Sequence, residues 1–239
     1  MRPVIVLPTY NERDNIQPFL EAVRAVPCEL DVLVVDDNSP DGTADLALAV
    51  GERLGGVDVL RRAAKNGLGS AYRAGFEHVL DAGYDVIVSM DADLSHDPAV
   101  LPSMLRLLEG GADAVVGSRY VTGGGTTDWP IRRQLLSKWG NAYTRTLLRL
   151  EVRDCTSGFR AYRAEALRGI SPSTTGAEGY AFLTELVRRL TRKGYRIEET
   201  PIVFRDRTHG TSKMSGRIIV ESMLLVTRWG LADRLRRRR

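Results

Sequence analysis

The sequence predicts an α/β fold in which helices flank a central, mostly parallel β-sheet. Five short apolar runs in the first half of the chain have the length and β-branched content of buried strands. Segments with apolar residues at helical spacing lie between these runs, and this alternation is typical of parallel sheets. The predicted strands are 4–7, 32–35, 57–60, 86–88 and 114–116.

Three helices are predicted between those strands from apolar residues at helical spacing. The second begins near Thr43, because Thr43 and Asp45 directly after Gly42 form a plausible helix start. The spacing is formed by Ile16, Leu20 and Val23, then by Leu46, Val50 and Leu54, and then by Ala71, Phe76, Val79 and Leu80.

The second half of the chain is less regular. We expect a flexible glycine loop at 123–127, after which Pro130 begins a helix. A helix at about 180–193 leads into a strand near 196–204, and an amphipathic segment covers 218–235. The apolar side predicted for the helix after Pro130 comprises Leu135, Leu136, Trp139, Tyr143, Leu147 and Leu150. This side could lie at an interface or could pack on the sheet.

The composition is that of an ordinary globular chain, because 43% of the 239 residues are hydrophobic and 27% are charged. This apolar content excludes intrinsic disorder. Two cysteines, Cys28 and Cys155, exclude a disulfide scaffold and lack metal-ligand spacing, so we expect core thiols in a reducing compartment. With no apolar run of 18 residues and no signal peptide, we expect a cytoplasmic protein.

The positive charge is concentrated at the C-terminus. Residues 228–239 hold six arginines and one aspartate, which contribute +5 to a net charge of +4, so the other 227 residues carry −1. Nucleic-acid-binding proteins more often spread arginines over a face, so we expect no nucleic-acid partner. The cluster favours an anionic surface instead. Without a linker or repeat, one domain covers 1–215, and 216–239 forms an amphipathic, arginine-rich segment.

Polar clusters follow four of the predicted strands, at 9–12, 36–41, 91–97 and 117–119. Parallel sheets bind their ligands beyond the carboxyl ends of the strands. We therefore expect the four clusters to meet at one edge of the sheet and to form the active site there.

Two carboxylates, Asp91 and Asp93, follow the strand at 86–88 and could share a hard divalent cation with a diphosphate. A helix N-cap cluster is the other interpretation of the same residues. Haloacid-dehalogenase phosphatases also place such a pair after a strand, but usually after the first one, which disfavours them here. A late basic loop with Arg205, Arg207 and Lys213 could clamp phosphates or could simply be solvated.

The acidic segment around Asp37 indicates a turn or a nucleoside-binding carboxylate. An EF-hand starting there would need glutamate where Leu48 stands, and a dinucleotide loop after Gly67 would need glycine in place of Tyr72. No P-loop is present. Ser157 lacks the leading glycine of a nucleophile elbow, which leaves hydrolase chemistry little support.

The three histidines, His78, His96 and His209, have no metal-ligand spacing. We therefore expect them at the surface or in loops rather than as ligands.

Several of these segments, taken together, resemble the polyprenyl-phosphate (dolichyl-phosphate) mannose synthases, which are GT-A-type glycosyltransferases of family 2. The resemblance runs from about 3 to 214. It rests on Pro-Thr-Tyr-Asn-Glu at 8–12, Asp-Asp-Asn-Ser-Pro-Asp-Gly-Thr at 36–43, Asp-Ala-Asp-Leu-Ser-His-Asp-Pro at 91–98, Gly-Ser-Arg-Tyr at 117–120, Thr-Ser-Gly-Phe-Arg at 156–160 and Phe-Arg-Asp-Arg-Thr-His-Gly-Thr-Ser-Lys at 204–213.

The resemblance implies roles for individual residues in a GT-A catalytic domain at 1–215. Asp91 and Asp93 would bind Mg²⁺ or Mn²⁺ and act in catalysis with Arg119, which lies at the sugar-phosphate end. Arg119, Arg133 and Ser137 would contact the acceptor phosphate. The residues implied for GDP-mannose are Pro8, Tyr10, Glu12, Val35, Asp37, Ala92, Arg207 and Lys213.

The implied reaction is an inverting transfer of mannose from GDP-mannose to a polyprenyl monophosphate, which gives a β-mannosyl phosphoryl polyprenol. A polyprenyl-phosphate glucose synthase using UDP-glucose and a non-catalytic nucleotide-binding membrane adaptor remain alternatives. Many relatives continue into transmembrane helices, whereas this chain continues into its arginine cluster. We therefore expect peripheral membrane association through 216–239, and a membrane partner protein could assist or replace it.

Overall fold

A seven-stranded sheet organises the residues that the computed structural model describes, 1–206 and 216–236. The strands are β1 (Pro3–Thr9), β2 (Asp31–Asp36), β3 (Val57–Arg61), β4 (Val86–Ser89), β5 (Ala114–Ser118), β6 (Gly125–Thr126), β7 (Arg160–Arg163), β8 (Ile197–Pro201) and β9 (Val203–Phe204). The helices are α1 (Arg13–Arg24), α2 (Thr43–Leu54), α3 (Leu68–Asp81), α4 (Leu101–Glu109), α5 (Ile131–Leu148), α6 (Ala164–Gly169), α7 (Gly179–Arg192) and α8 (Gly216–Arg236).

The main sheet has the strand order β3-β2-β1-β4-β7-β5-β8 and is mostly parallel, as the sequence predicts. All five strands predicted in the first half are present, and the three helices predicted between them are α1, α2 and α3. Strand β7 is antiparallel to both of its neighbours, β4 and β5. The alternation of apolar runs and helices therefore predicted the parallel part correctly.

Alternate residues of the strands enter two different cores, one on each face of the sheet. Ile5 and Leu7 of β1 pack with α1, α2 and α4, whereas Val4 and Val6 pack with α3, α6 and α7. Because both faces are covered, the strands are apolar throughout, which explains the continuous runs in the sequence.

The sequence prediction contained no strand at β7, which lies between β4 and β5. Its residues are Arg-Ala-Tyr-Arg, so it lacks the apolar run that identifies a buried strand. Arg160 is nevertheless fully buried. The single strand predicted near 196–204 is two strands, β8 beside β5 and β9 paired with β6. This second pairing orders part of the predicted glycine loop.

Helix α5 leaves the first half of its predicted apolar side exposed and buries other residues. Its buried residues are Asn141, Thr144 and Leu148, whereas Leu135 and Trp139 are exposed. The helix packs against α8, and the hydroxyls of Tyr143 on α5 and Thr227 on α8 lie 2.7 Å apart. Leu150, placed in the helix by the sequence pattern, lies beyond its end and is buried. Among the described residues, no helix is long and apolar enough to cross a membrane.

Candidate active site

The four polar segments predicted to meet do follow parallel strands. Strands β1, β2 and β4 are parallel, and β5 has the same direction because both β4 and β5 are antiparallel to β7. The carboxyl ends of these strands therefore meet at one edge of the sheet, as expected.

A cavity of about 160 Å³ lies at this edge, next to α5 and α8. One part of its wall is polar and contains Asp91, Arg119 and Arg133. Another part is apolar and comes from α5 and α8. Such a cavity suits a ligand with an anionic head and an apolar tail. The apolar part is lined by Leu136, Trp139, Ile219, Met223 and Val226.

The two carboxylates predicted to share one pocket differ in their surroundings. The Asp91 side chain lines the cavity and is 33% exposed. Asp93 is buried and accepts hydrogen bonds from the backbone N–H and hydroxyl of Ser95, at 3.1 and 2.6 Å. A Cβ on Gly158 would lie 3.3 Å from an oxygen of Asp91, so the absence of a side chain there leaves that carboxylate room.

His96 lies in a loop, which is one of the two places expected for the histidines, but it is buried there and only 1% exposed. Its ring packs between Phe159 and Phe204, with ring centroids 5.3 and 5.4 Å away. Its Nδ1 lies 4.0 Å from an oxygen of Asp91 and accepts a long hydrogen bond from the Asp91 backbone N–H. His96 therefore supports the cavity wall beneath Asp91.

Arg119 is held on the cavity wall by a buried ion pair. Its Nε and Nη2 donate to the two oxygens of Asp154, each at 2.7 Å, and Nη2 also donates to the Thr156 hydroxyl. Asp154 is fully buried. Burial by itself would raise the pKa of Asp154, but the charge and hydrogen bonds of Arg119 outweigh it and hold that pKa below its ordinary value. The pair fixes the direction of the guanidinium.

A second buried guanidinium, that of Arg160, lies near Asp154. Arg160 is fully buried and donates to three backbone carbonyls, those of Cys155, Ser157 and Leu183. Among the described residues, no carboxylate forms an ion pair with it. Arg160 therefore adds a second buried positive charge near Asp154, and this charge also lowers the pKa of Asp154.

All three residues implied for the acceptor phosphate line the cavity. The Arg133 guanidinium lies 3.9 Å from the centroid of the Trp129 ring and pairs with Asp206 at 3.1 Å. The Ser137 hydroxyl accepts a hydrogen bond from the hydroxyl of Tyr120 at 2.6 Å. The structure thus brings Arg119, Arg133 and Ser137 together at one cavity.

The residues implied for the nucleotide lie at the carboxyl ends of β1 and β2. Asp37 is buried and pairs with Arg62 at 2.5 Å. Burial raises the pKa of Asp37, and the nearby Arg62 opposes that rise. The ammonium group of Lys65 lies 3.7 Å from the centroid of the Tyr10 ring. A flat, partly exposed aromatic ring beside a carboxylate suits a nucleobase.

The other implied nucleotide residues differ in accessibility. The side chains of Val35 and Ala92 are covered by the core, so either residue would have to contact a ligand through its backbone. Glu12 is half-buried, and one of its carboxylate oxygens accepts from Asn15 at 2.8 Å. Pro8 is also half-buried. Arg207 and Lys213, implied for the diphosphate, lie outside the described residues.

The structure adds two polar residues that sequence reasoning did not identify. Trp129 and Ser157 line the cavity, and the indole N–H of the first and the hydroxyl of the second are buried and make no hydrogen bond within the described part of the chain. Neither belongs to a polar strand-end cluster. Ser157 lies within the 156–160 motif that carries the resemblance, but the resemblance implied no role for it. A buried polar atom with no protein partner on a cavity wall is a candidate contact for a ligand.

The two thiols match the sequence expectation of unreactive cysteines. Cys28 is half-buried and Cys155 is fully buried, and neither forms a disulfide. Burial raises the pKa of Cys155 to about 12. Its thiol therefore plays no nucleophilic role at neutral pH.

Residues 4–171 match the family model described as "Glycosyl transferase family 2". The chain is 46% identical over 242 residues to the polyprenol monophosphomannose synthase of Mycolicibacterium smegmatis, covering 100% of this chain and 90% of that protein. It is 47% identical over 234 residues to the undecaprenyl-phosphate mannosyltransferase of Micrococcus luteus, covering 98% and 96% of the two chains.

Two solved structures have a similar fold at lower identity. The mannosyltransferase PcManGT from Pyrobaculum calidifontis, in complex with GDP-Man and Mn²⁺, superposes with a TM-score of 0.66 at 20% identity, over 98% of this chain and 64% of that one. Glucosyl-3-phosphoglycerate synthase from Mycobacterium tuberculosis, with Mn²⁺, UDP-glucose and phosphoglyceric acid, gives 0.66 at 21% identity, over 95% and 79% of the chains.

Proposed function

The chain belongs to glycosyl transferase family 2, and from that premise we propose that it transfers mannose from GDP-mannose to a polyprenyl monophosphate, with inversion, to give a β-linked mannosyl phosphate. The cavity with one polar and one apolar wall is the main structural support. Two guanidinium groups and a carboxylate suit reacting phosphates, and the apolar wall suits the isoprenoid. The names of the two relatives at 46% and 47% identity agree with this assignment.

Asp91 and Asp93 would hold a divalent cation, Mg²⁺ or Mn²⁺, at the carboxyl end of β4. The described residues contain no group of three or more metal-binding side chains. Two carboxylates fit the usual Mg²⁺ arrangement, in which substrate phosphates and water complete the coordination. When bound, the cation would offset the charge that builds up on the departing nucleoside diphosphate.

Arg119 and Arg133 would seat the acceptor phosphate against the sugar. A phosphate monoester has a second pKa of ~6, so its attacking oxygen is already deprotonated at neutral pH and needs no strong general base. The main requirement is to bring two anions together, and the fixed guanidinium of Arg119 meets it by electrostatic stabilisation. The basic residues Arg207 and Lys213 would contribute to the same neutralisation from the diphosphate side.

We also propose that the protein docks on a membrane through a two-helix face, the outer sides of α5 and α8. Eight of the eleven exposed large hydrophobic side chains among the described residues lie on these two helices. The four on α8 fall within about 60° of one another around the helix. The face comprises Ile131, Leu135, Leu136 and Trp139 of α5 and Val220, Leu224, Leu231 and Leu235 of α8.

Charge around the two-helix face favours an anionic leaflet on the cytoplasmic side. Helix α5 has no acidic residue, and Arg132, Lys138 and Arg228 are exposed beside the apolar side chains. Helix α8 ends at Arg236, and the sequence continues with three more arginines at 237–239. Each basic residue near an anionic surface contributes ~1 kcal/mol. Since Leu136 and Trp139 also line the cavity, the acceptor lipid could enter from the docked membrane.

The transfer reaction is tested by incubating the protein with radiolabelled GDP-mannose or UDP-glucose, a polyprenyl phosphate and Mg²⁺. We expect lipid-extractable label from GDP-mannose alone, and its loss in Asp91→Asn but not in Asp45→Asn, an exposed control on α2. Label from UDP-glucose alone would support the glucose synthase, and no transfer from either donor would support the adaptor. An α-linked product would contradict inversion.

Docking is tested separately by flotation with vesicles of phosphatidylcholine containing phosphatidylglycerol. We expect Leu135→Ser combined with Leu224→Ser to weaken binding about tenfold, because apolar area drives interfacial insertion. Leu48→Ser, an exposed leucine on α2, is the matched control. Truncation after 229 should weaken binding to anionic vesicles further. Equal binding of all variants would exclude the two-helix face.

A further inference from the structure

Trp129 lines the cavity, and its indole N–H is a buried donor. Trp129 is 6% exposed, and its Nε1 makes no hydrogen bond within the described residues. An indole nitrogen can only donate, so its missing partner must be an acceptor. Leaving such a group buried without a partner is unfavourable, which makes a bound ligand the natural acceptor.

The side chain is held firmly in its position. Its ring meets Phe204 edge-on, with centroids 5.4 Å apart, and its backbone carbonyl accepts from the Gln134 side chain at 2.9 Å. The guanidinium of Arg133 stacks on the ring at 3.9 Å from its centroid. Trp129 therefore orders Arg133 through its ring, while its N–H has no hydrogen-bond partner within the described residues.

The charges around Trp129 indicate which acceptor the N–H would meet. The guanidinium of Arg119 is 5.5 Å from the ring centroid, so two cations lie beside the indole. Asp206 pairs with Arg133 and Asp154 pairs with Arg119, and each carboxylate offsets part of this charge. A phosphate oxygen satisfies the N–H and both guanidinium groups at once, which a neutral hydroxyl group does not.

We propose that Trp129 binds the acceptor's phosphate, with its Nε1–H donating to an oxygen that does not attack the sugar. The inference rests on the proposed function, because that function places a phosphate monoester in the cavity. A monoester has three terminal oxygens, one of which attacks. The indole N–H and the guanidinium groups hold the other two and so turn the attacking oxygen toward the sugar.

Two variants remove the N–H while an aromatic ring remains at position 129. Trp129→Phe removes it with part of the ring, and replacement of Trp129 by 3-benzothienylalanine puts sulfur in its place at nearly the same shape. We expect the KM for polyprenyl phosphate to rise about tenfold or more, as for loss of a hydrogen bond to a charged group. The KM for GDP-mannose and the kcat at saturating acceptor should change less than about twofold.

Direct binding separates this inference from the proposed function. The test is titration with farnesyl phosphate and with farnesol in the absence of donor. Both variants should bind farnesyl phosphate more weakly than wild type does, and their affinity for farnesol should be unchanged. Trp229→Phe is the matched control. Trp229 lies on α8, packs beside Arg188 of α7 and is outside the cavity lining. If wild type binds farnesyl phosphate but transfers no mannose, the proposed function fails and the Trp129 contact stands.

Three results would overturn the Trp129 contact. One is an unchanged affinity for farnesyl phosphate in the benzothienylalanine protein. Another is an equal loss of affinity for farnesol, which would indicate an apolar contact. The third is a parallel rise in both KM values together with a lower melting temperature, which would indicate a structural role.

Discussion

The nucleotide side and the acceptor side of the site are held together in different ways. On the nucleotide side, Asp36 and Asp41 accept hydrogen bonds from Ser39 and Thr43 within their own loops. On the acceptor side, Arg119 depends on Asp154, which is 35 positions away and fully buried. Local hydrogen bonds thus shape the loops of the nucleotide side, where Asp37 also pairs with Arg62, 25 positions away, whereas the guanidinium of the acceptor side is held by a fully buried carboxylate from a distant segment. We expect the acceptor side to be less tolerant of substitution.

The largest expected effect is on the acceptor side, at Asp154. Asp154→Ala leaves Arg119 buried without its carboxylate, and loss of one partner of a buried pair costs about 3–5 kcal/mol of unfolding free energy. Urea denaturation measures this. The surface pair of Arg61 with Asp45 is the comparison, and Asp45→Ala should cost less than about 1 kcal/mol. Similar losses at both positions would contradict the difference between the two sides.

Acid should weaken the same pair reversibly. The pKa of Asp154 is lowered in the folded protein, so its contribution is present above the ordinary value of about 3.8 and is lost as pH falls through the lowered value. The stability difference between wild type and Asp154→Asn should therefore shrink as pH falls below about 3.8. Unfolding curves from pH 7 to pH 3 measure it, and a constant difference would argue against an ionised Asp154.

Arg133→Gln sharpens the comparison at the level of substrates. It removes a charge from the acceptor side, so the KM for polyprenyl phosphate should rise about 10- to 100-fold while the KM for GDP-mannose stays within about twofold. Arg133→Lys should recover part of the loss. A rise in the KM for GDP-mannose alone would show that Arg133 acts on the donor and not on the acceptor.

Arg62→Gln should produce a smaller effect with the opposite selectivity. Asp37 loses its cation, its pKa rises further, and the KM for GDP-mannose increases about tenfold with little change for the acceptor. Titration with GDP gives an independent measurement. Arg53→Gln, which removes an exposed partner of Glu21, is the control. A change in acceptor KM alone would show that the two sides are not separate.

Much of the nucleotide side could be predicted from sequence because its information is local. A strand that ends in acidic and turn-forming residues identifies both the sheet edge and its polar cluster, as at Asp37 and Asp91. Resemblance supplied the roles of Arg119, Arg133 and Ser137, and the structure brings them to one cavity. Neither route identified Asp154 or Trp129, since a buried partner or an orphaned N–H is defined by its surroundings.

At two places the sequence pattern did not decide which side chains are covered. The apolar side of α5 was assigned from helical spacing, and Leu135 and Trp139 on that side are exposed whereas Asn141 and Thr144 are buried. His96 was expected at the surface or in a loop, and it is buried in its loop beneath Asp91. Spacing indicates that a helix or turn forms, but the neighbouring elements decide which face is covered.

The sequence by itself determined the parallel sheet, its helices and the edge at which the polar segments meet, because strand and helix periodicity and strand direction are properties of short segments. The tertiary structure decided the insertion of β7 with its buried Arg160, the pairing of Arg119 with Asp154 and the apolar wall between α5 and α8. These features join residues distant along the chain, and only the packed fold sets which charges are desolvated together.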